Sequence, residues 1–111
     1  MNASNISLTH IVRKPFIESI GKPPIIILLH GWGSNETDLM ALADYIDGRY
    51  FVASLRAPIV MAPGAFGWFL LTGEPGRLGH NDAQAQSALQ LVLSVIDELT
   101  TEYDVDAERV F

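Results

Sequence analysis

The hydrophobic pattern of the chain changes period several times, and each change marks an element. Ile25–Leu29 is an unbroken run of branched apolar residues, which reads as a strand buried on both faces in the middle of a parallel sheet. It runs straight into His30-Gly31-Trp32-Gly33. From about Glu36 to Asp47 the period lengthens. Leu39, Leu42, Ala43 and Ile46 form one apolar stripe of an amphipathic helix. Ser34 or Asn35 caps that helix, Glu36 and Asp38 suit the positive end of its dipole, and Gly48 stops it. Tyr50–Leu55 is a second buried strand, closed by Arg56-Ala57-Pro58. Asp82–Glu102 is the longest helix, capped by Asn81, with Ala85, Ala88, Leu89, Val92, Ile96 and Leu99 as its buried stripe.

Other segments carry weaker patterns. Ile6–Val12 alternates as an edge strand would, and Pro15–Pro24 holds a turn or a short second strand. The Gly- and Pro-rich segment up to Gly79 reads as a long loop carrying Phe66, Trp68 and Phe69. After a turn at Asp106, Arg109-Val110-Phe111 begins a further strand. Strands alternating with helices at these lengths predict an α/β fold, a mostly parallel sheet flanked by helices. An apolar strand left at an open sheet edge is unfavourable. Residues 1–111 are therefore expected to be a single, incomplete domain, the N-terminal part of a larger one.

Composition removes several function classes. The 111 residues carry a formal net charge of −6, and their seven Lys and Arg are scattered, so no nucleic-acid partner is expected. With no cysteine, thiol attack and disulfides are excluded. The N-terminus lacks a basic start followed by an apolar run, so no signal peptide is expected. The uncharged stretch Ala57–Gly73 is broken by Pro58, Pro63, Gly64 and Gly67, which argues against an integral membrane segment. A glycan on the Asn35 sequon would block the neighbouring His30–Gly33 loop, which favours a cytoplasmic location.

That loop carries the main chemical signal. Backbone amides at the mouth of a central strand suit a developing oxyanion, and the Trp32 amide is the candidate donor. Gly31 and Gly33 permit a sharp turn and close approach of the backbone to a ligand. A plain strand-to-helix connection would use the same glycines. A dinucleotide fingerprint fails because Glu36 stands where a third glycine belongs and, with Asp38, repels a pyrophosphate; a P-loop lacks its lysine. His30 reads as a residue that fixes the loop through backbone hydrogen bonds rather than as a base. His10 and His80 are isolated. His80-Asn81-Asp82 offers too few ligands for a metal site, and Asp104, Asp106 and Glu108 fail as a calcium loop because Arg109 replaces its glycine. No metal or cofactor is expected. None of Ser4, Ser7, Ser19, Ser34, Ser54, Ser87 and Ser94 lies in a G-x-S-x-G elbow. Trp68 and Phe69 either wall a pocket beside Trp32 or cover the sheet as ordinary core.

The segments LLHGWGSNETDL at 28–39, SLRAP at 54–58, GWF at 67–69 and the helix-plus-strand approach at 82–111, taken in order, resemble the α/β-hydrolase carboxylesterases and phospholipases that include acyl-protein thioesterases. The resemblance covers about four-fifths of the chain. It implies a serine hydrolase of carboxylic esters or thioesters, with a small-molecule acyl substrate and no cofactor. It implies Trp32 N–H as an oxyanion donor, and Gly31, Trp32, Gly33, Trp68 and Phe69 as substrate-binding residues. The catalytic Ser, Asp and His are then expected beyond Phe111, leaving the 111-residue chain inactive by itself. At Leu70 the chain departs from relatives that carry Asp after Trp-Phe. The competing reading is a truncated, non-catalytic hydrolase-like domain that binds a partner through its open sheet edge or its Trp-Phe loop.

Overall fold

The computed structural model describes residues 6–74, 76–80 and 82–111. Its central sheet is organised by the two apolar runs. Ile25–Leu29 (β2) and Phe51–Leu55 (β3) pair in parallel, with Ile25 opposite Phe51 and Leu29 opposite Leu55. His10–Arg13 (β1) adds antiparallel to the other side of β3. It is an edge strand, but it starts later than the Ile6–Val12 pattern implied, and Leu8 ahead of it is buried in the core. Beyond β2, Ile25 N–H donates to Arg109 C=O and Phe111 N–H to Ile25 C=O, a parallel bridge centred on Val110. Both apolar runs therefore lie inside the sheet, as unbroken apolar strands require. Pro15–Pro24 holds bends and no second strand.

All five residues of β3 are buried. Phe51, Ala53 and Leu55 join Leu8, Ile25, Val95, Leu99 and Val105 in one cluster under the long helix Asp82–Glu102 (α2). Ser54 belongs to the opposite face, where its hydroxyl donates to the carbonyl of Glu36 at 2.7 Å. There the helix Glu36–Met40 (α1) packs. Helices thus flank the sheet on both sides, giving the α/β layering expected. No helix among the described residues is long and apolar enough to cross a membrane.

Three local expectations are corrected. The helix predicted for 36–47 is α-helical only over Glu36–Met40 and tightens to a 3₁₀ turn over Ala41–Tyr45. The tightening rotates Leu42 outward, while Ala43 is buried. Its cause is tertiary: the Arg13 guanidinium collects the carbonyls of Ala43, Ile46, Asp47 and Tyr50, and Gly48 C=O accepts from the amides of Phe16 and Ile17. The long loop before Gly79 folds into two hairpins, Ile59–Ala62 (β4) with Ala65–Gly67 (β5), and Leu71–Glu74 (β6) with Arg77–His80 (β7). Along β4 exposure alternates, and the Pro63-Gly64 turn supplies a positive φ of 76° at Gly64. Finally, the predicted stripe of α2 holds at Ala88 and Leu99 but not throughout. Ala88, Val95 and Leu99 are buried, while Leu89 stays half exposed. The predicted cap Asn81 lies outside the described residues.

Asn35, not Ser34, caps α1. Its side-chain oxygen accepts from Thr37 N–H at 3.0 Å and Asp38 N–H at 3.1 Å, and its amide donates to Gly64 C=O at 2.9 Å. The cap therefore also ties the helix to the first hairpin. Asn35→Ala should lower unfolding free energy by about 1 kcal/mol for the lost cap, measured by urea denaturation, with Asn35→Asp recovering most of that loss. The Asp106 turn is a solvated one, as expected. Asp106 accepts from Glu108 N–H and from Arg109 Nε, and the Arg109 hydrogen bond holds its carboxyl below the ordinary range.

Candidate active site

The mouth of β2 is held by hydrogen bonds that act in series. His30 is buried, and its ring has two backbone partners. Ala57 N–H donates to Nε2 at 3.0 Å, so that nitrogen carries the lone pair and Nδ1 carries the proton. Nδ1–H donates to Gly31 C=O at 2.7 Å. Neither ring nitrogen is left to act as a base, and the residue fixes the loop as anticipated.

Gly31 C=O accepts a second hydrogen bond, from Ser34 N–H at 3.1 Å. A trans peptide is planar, with its C=O and N–H pointing in opposite directions. Two donors on Gly31 oxygen therefore direct Trp32 N–H away from the loop interior. Among the described residues that N–H has no hydrogen-bond partner. Trp32 is half exposed, and a Cβ built on Gly31 would meet nothing within 4 Å.

The two glycines differ in what they do. Gly33 has φ +81°, where a side chain would be strained, whereas Gly31 has no positive φ. The turn needs glycine only at 33. Gly33 N–H is also spent, donating to Phe66 C=O at 2.9 Å, while Phe66 N–H donates to Ser34 C=O at 2.8 Å. This bridge clamps the first hairpin onto the loop.

Two indoles complete the clamp in opposite directions. Trp68 Nε1–H donates to His30 C=O at 2.8 Å, and Trp32 Nε1–H donates to Phe69 C=O at 3.1 Å. The Trp68 ring lies against the His30 imidazole, centroids 5.4 Å apart. A Cβ on Gly67 would lie 2.7 Å from Met61 sulfur, so a side chain there would displace the end of Met61. The structure thus brings the Trp32 loop and the Trp68–Phe69 segment together. Beside them an open apolar groove of about 360 Å³ is lined by His30, Trp68, Phe69, Leu29, Leu89 and Val92, among others.

Sequence reasoning missed the support beneath this loop. Glu36 is buried, not a solvated first-turn acid, and receives Arg56 Nε at 3.0 Å and Nη2 at 2.6 Å. The Arg56 hydrogen bond holds the Glu36 carboxyl below its ordinary range, against the opposing effect of burial. The guanidinium also lies 4.4 Å from the Phe66 ring centroid. The signal was present in the pairing of N-E-x-D-L with R-A-P, which carried the resemblance without revealing a contact.

No serine hydroxyl among the described residues bonds a histidine. Ser7 donates to Glu98, Ser34 to Asp38 and Ser54 to a carbonyl, while His10 sits between Leu8 C=O and Tyr103 OH. No group of three His, Cys, Asp or Glu among the described residues could hold a metal ion.

Strand order, the tight His-Gly-x-Gly mouth and flanking helices are those of a partial α/β-hydrolase fold. Among solved structures, the chain is similar to a Bacillus cereus carboxylesterase at 26% identity and TM-score 0.74, over 96% of this chain and 47% of that one. It is similar in fold to esterase PE8 at 21% identity and TM-score 0.76, over 95% of this chain and 50% of that one. YahD with malic acid matches at 16% identity and TM-score 0.73, over 93% of this chain and 48% of that one. The chain spans about half the length of these proteins. No protein-family model and no curated protein matches the sequence.

Proposed function

We propose that residues 1–111 are part of one serine-hydrolase domain acting on carboxylic esters or thioesters, and that they supply an oxyanion-binding loop and part of an acyl groove. The observation that carries this reading is the unpartnered Trp32 N–H, whose direction is set by the doubly bonded Gly31 carbonyl. An amide preorganised in this way stabilises negative charge on a carbonyl oxygen as a nucleophile adds to it. Open space above Gly31 leaves room for that oxygen. The apolar groove lined by Trp68 and Phe69 suits the hydrocarbon part of the acyl group.

In this scheme a serine, activated by a histidine that an acid orients, attacks the ester carbonyl. The alcohol or thiol leaves with a proton, and water cleaves the acyl-enzyme. Those three groups are proposed to lie outside this chain, so its purified form should turn over no ester in a serine-dependent way. Hydrolysis of p-nitrophenyl butyrate that a serine-directed phosphonate abolishes would refute that assignment.

The binding half is testable directly. Octanoate, a stable oxyanion with an alkyl tail, should shift the ¹⁵N-resolved amide resonance of Trp32 while leaving that of Gly33, already bonded to Phe66, nearly in place. A Trp32 amide indifferent to saturating octanoate would defeat the oxyanion reading.

A further inference from the structure

The peptide that joins Phe69 to Leu70 is gripped on both sides. Its carbonyl accepts from Trp32 Nε1–H at 3.1 Å, and its N–H donates to Gln84 Oε1 at 2.7 Å. A trans peptide points these two groups in opposite directions. One peptide plane therefore stands between the Trp32 indole and the first turn of α2. Backbone at Gly67 closes in on the same contact, since a Cβ there would lie 3.4 Å from the Phe69 oxygen and 3.5 Å from Trp32 Cδ1.

Gln84 departs from the pattern of its own helix. It sits one turn before Ala88 on the stripe that continues through Val95 and Leu99, all three buried. An apolar side chain at 84 would serve packing alone; a half-buried glutamine supplies an acceptor as well. The same stripe fixes where that acceptor stands, because Val95 and Leu99 anchor α2 in the core. At the other end of this linkage is the loop. The Gly31 carbonyl directs the backbone N–H of Trp32, and the single N–H of its indole is spent on Phe69 C=O.

We propose that Gln84 is a positioning residue for the oxyanion loop. It holds the Phe69–Leu70 peptide so that the carbonyl meets the indole, and so ties Trp32 to a core-anchored helix. Residue 32 then keeps its place as an anionic oxygen approaches its N–H. The proposal rests on the oxyanion reading given above, and Gln84 acts through Trp32 without touching the substrate.

Two substitutions separate this role from simple packing. Gln84→Met keeps side-chain length and helix preference and removes the amide oxygen. Gln84→Glu keeps an oxygen acceptor. In ¹⁵N-resolved spectra of the chain, Gln84→Met should speed hydrogen exchange at Leu70 N–H and Trp32 Nε1–H by about fivefold, the size of one neutral hydrogen bond. Trp68 Nε1–H, bonded to His30 C=O instead, should keep its wild-type rate. Gln84→Glu should keep all three rates near wild type. Octanoate affinity should fall in Gln84→Met by up to about fivefold. Gln84→Met combined with Trp32→Phe should lose no more than Trp32→Phe alone, because both break one linkage. Acceleration at Leu70 with Trp32 Nε1–H unmoved would overturn the proposal and leave Gln84 a local support of the segment. Octanoate affinity unchanged in Gln84→Met, or losses from the two substitutions that simply add, would overturn it while leaving the oxyanion reading intact. A wild-type chain that binds no octanoate would remove that reading and the positioning role together.

Discussion

On the proposed serine-hydrolase reading, Trp32→Pro should lower kcat of the full enzyme so proposed by about 100- to 1000-fold, the typical effect of deleting one oxyanion donor. Proline removes both the N–H and the indole, so its excess effect over alanine reports the N–H. Trp32 has no positive φ, so a left-handed backbone does not bar proline there. Trp32→Ala keeps the donor and loses the indole bond to Phe69 C=O. That neutral hydrogen bond is worth about 1 kcal/mol, so alanine should cost less than tenfold. The order of the two variants is the diagnostic, because a purely structural role for the indole predicts the reverse: alanine would harm at least as much as proline. Steady-state kcat for both, with near-ultraviolet circular dichroism as a folding check, decides between them. A folded proline variant with wild-type kcat would remove Trp32 from the mechanism.

What could be read from the sequence depended on whether a residue's partners were close along the chain. β2 and β3 were legible because an uninterrupted apolar run has one favourable destination, the inside of a covered sheet. The Asn35 cap and the end of the helical turn before Gly48 are similarly local. The hairpins at 59–67 and 71–80 were not recognised because prolines and glycines mark hairpin turns and irregular loops alike. The alternating exposure of Ile59–Ala62 appears only once a partner strand is present. α2 is apolar on more than one face, so periodicity alone found Ala88 and Leu99 but could not choose Val95 over Leu89 as their buried neighbour.

The candidate site divides along the same line. A buried, backbone-bonded His30 was foreseeable from its place at a strand end, but its partner Ala57 is 27 residues away. The sequence left open whether Trp68 and Phe69 lie beside the Trp32 loop or only cover the sheet, and the reciprocal indole bonds across 37 and 38 residues had no signature. Arg13, which collects carbonyls of the 3₁₀ turn from more than 30 residues away, left no trace in the pattern. Each omission is a long-range hydrogen bond made by a side chain common in other settings.

Arg56→Ala should be the most destabilising surface-accessible change in the chain, at about 3 kcal/mol. Arg56 retains 37% side-chain exposure, but Glu36 retains only 7%, so removing the cation strands a carboxylate that water barely reaches. The figure is set at the lower end of the range for breaking a buried pair because solvent screens the exposed partner. Loss of the guanidinium from the Phe66 ring adds a smaller cost. Glu36→Gln in the Arg56→Ala background should recover part of the loss, since a neutral amide costs less to bury than an unpaired charge. The pH dependence follows from the lowered Glu36 carboxyl. A group whose folded pKa lies below its unfolded value stabilises fully above the ordinary carboxylate range and loses that contribution as pH falls through the folded value. Wild type should therefore lose more stability than Arg56→Ala between neutral and strongly acidic pH, and the two curves should converge. The effect should also reach the loop. Arg56 precedes Ala57, whose N–H holds His30, whose Nδ1–H holds the Gly31 carbonyl that directs Trp32 N–H. Amide exchange at Ala57 should accelerate with that at Ser34, whose N–H shares the Gly31 carbonyl, in Arg56→Ala, before global unfolding. Urea denaturation curves within 1 kcal/mol of wild type at neutral pH, or parallel acid profiles for the two proteins, would show that the pair does not support the loop.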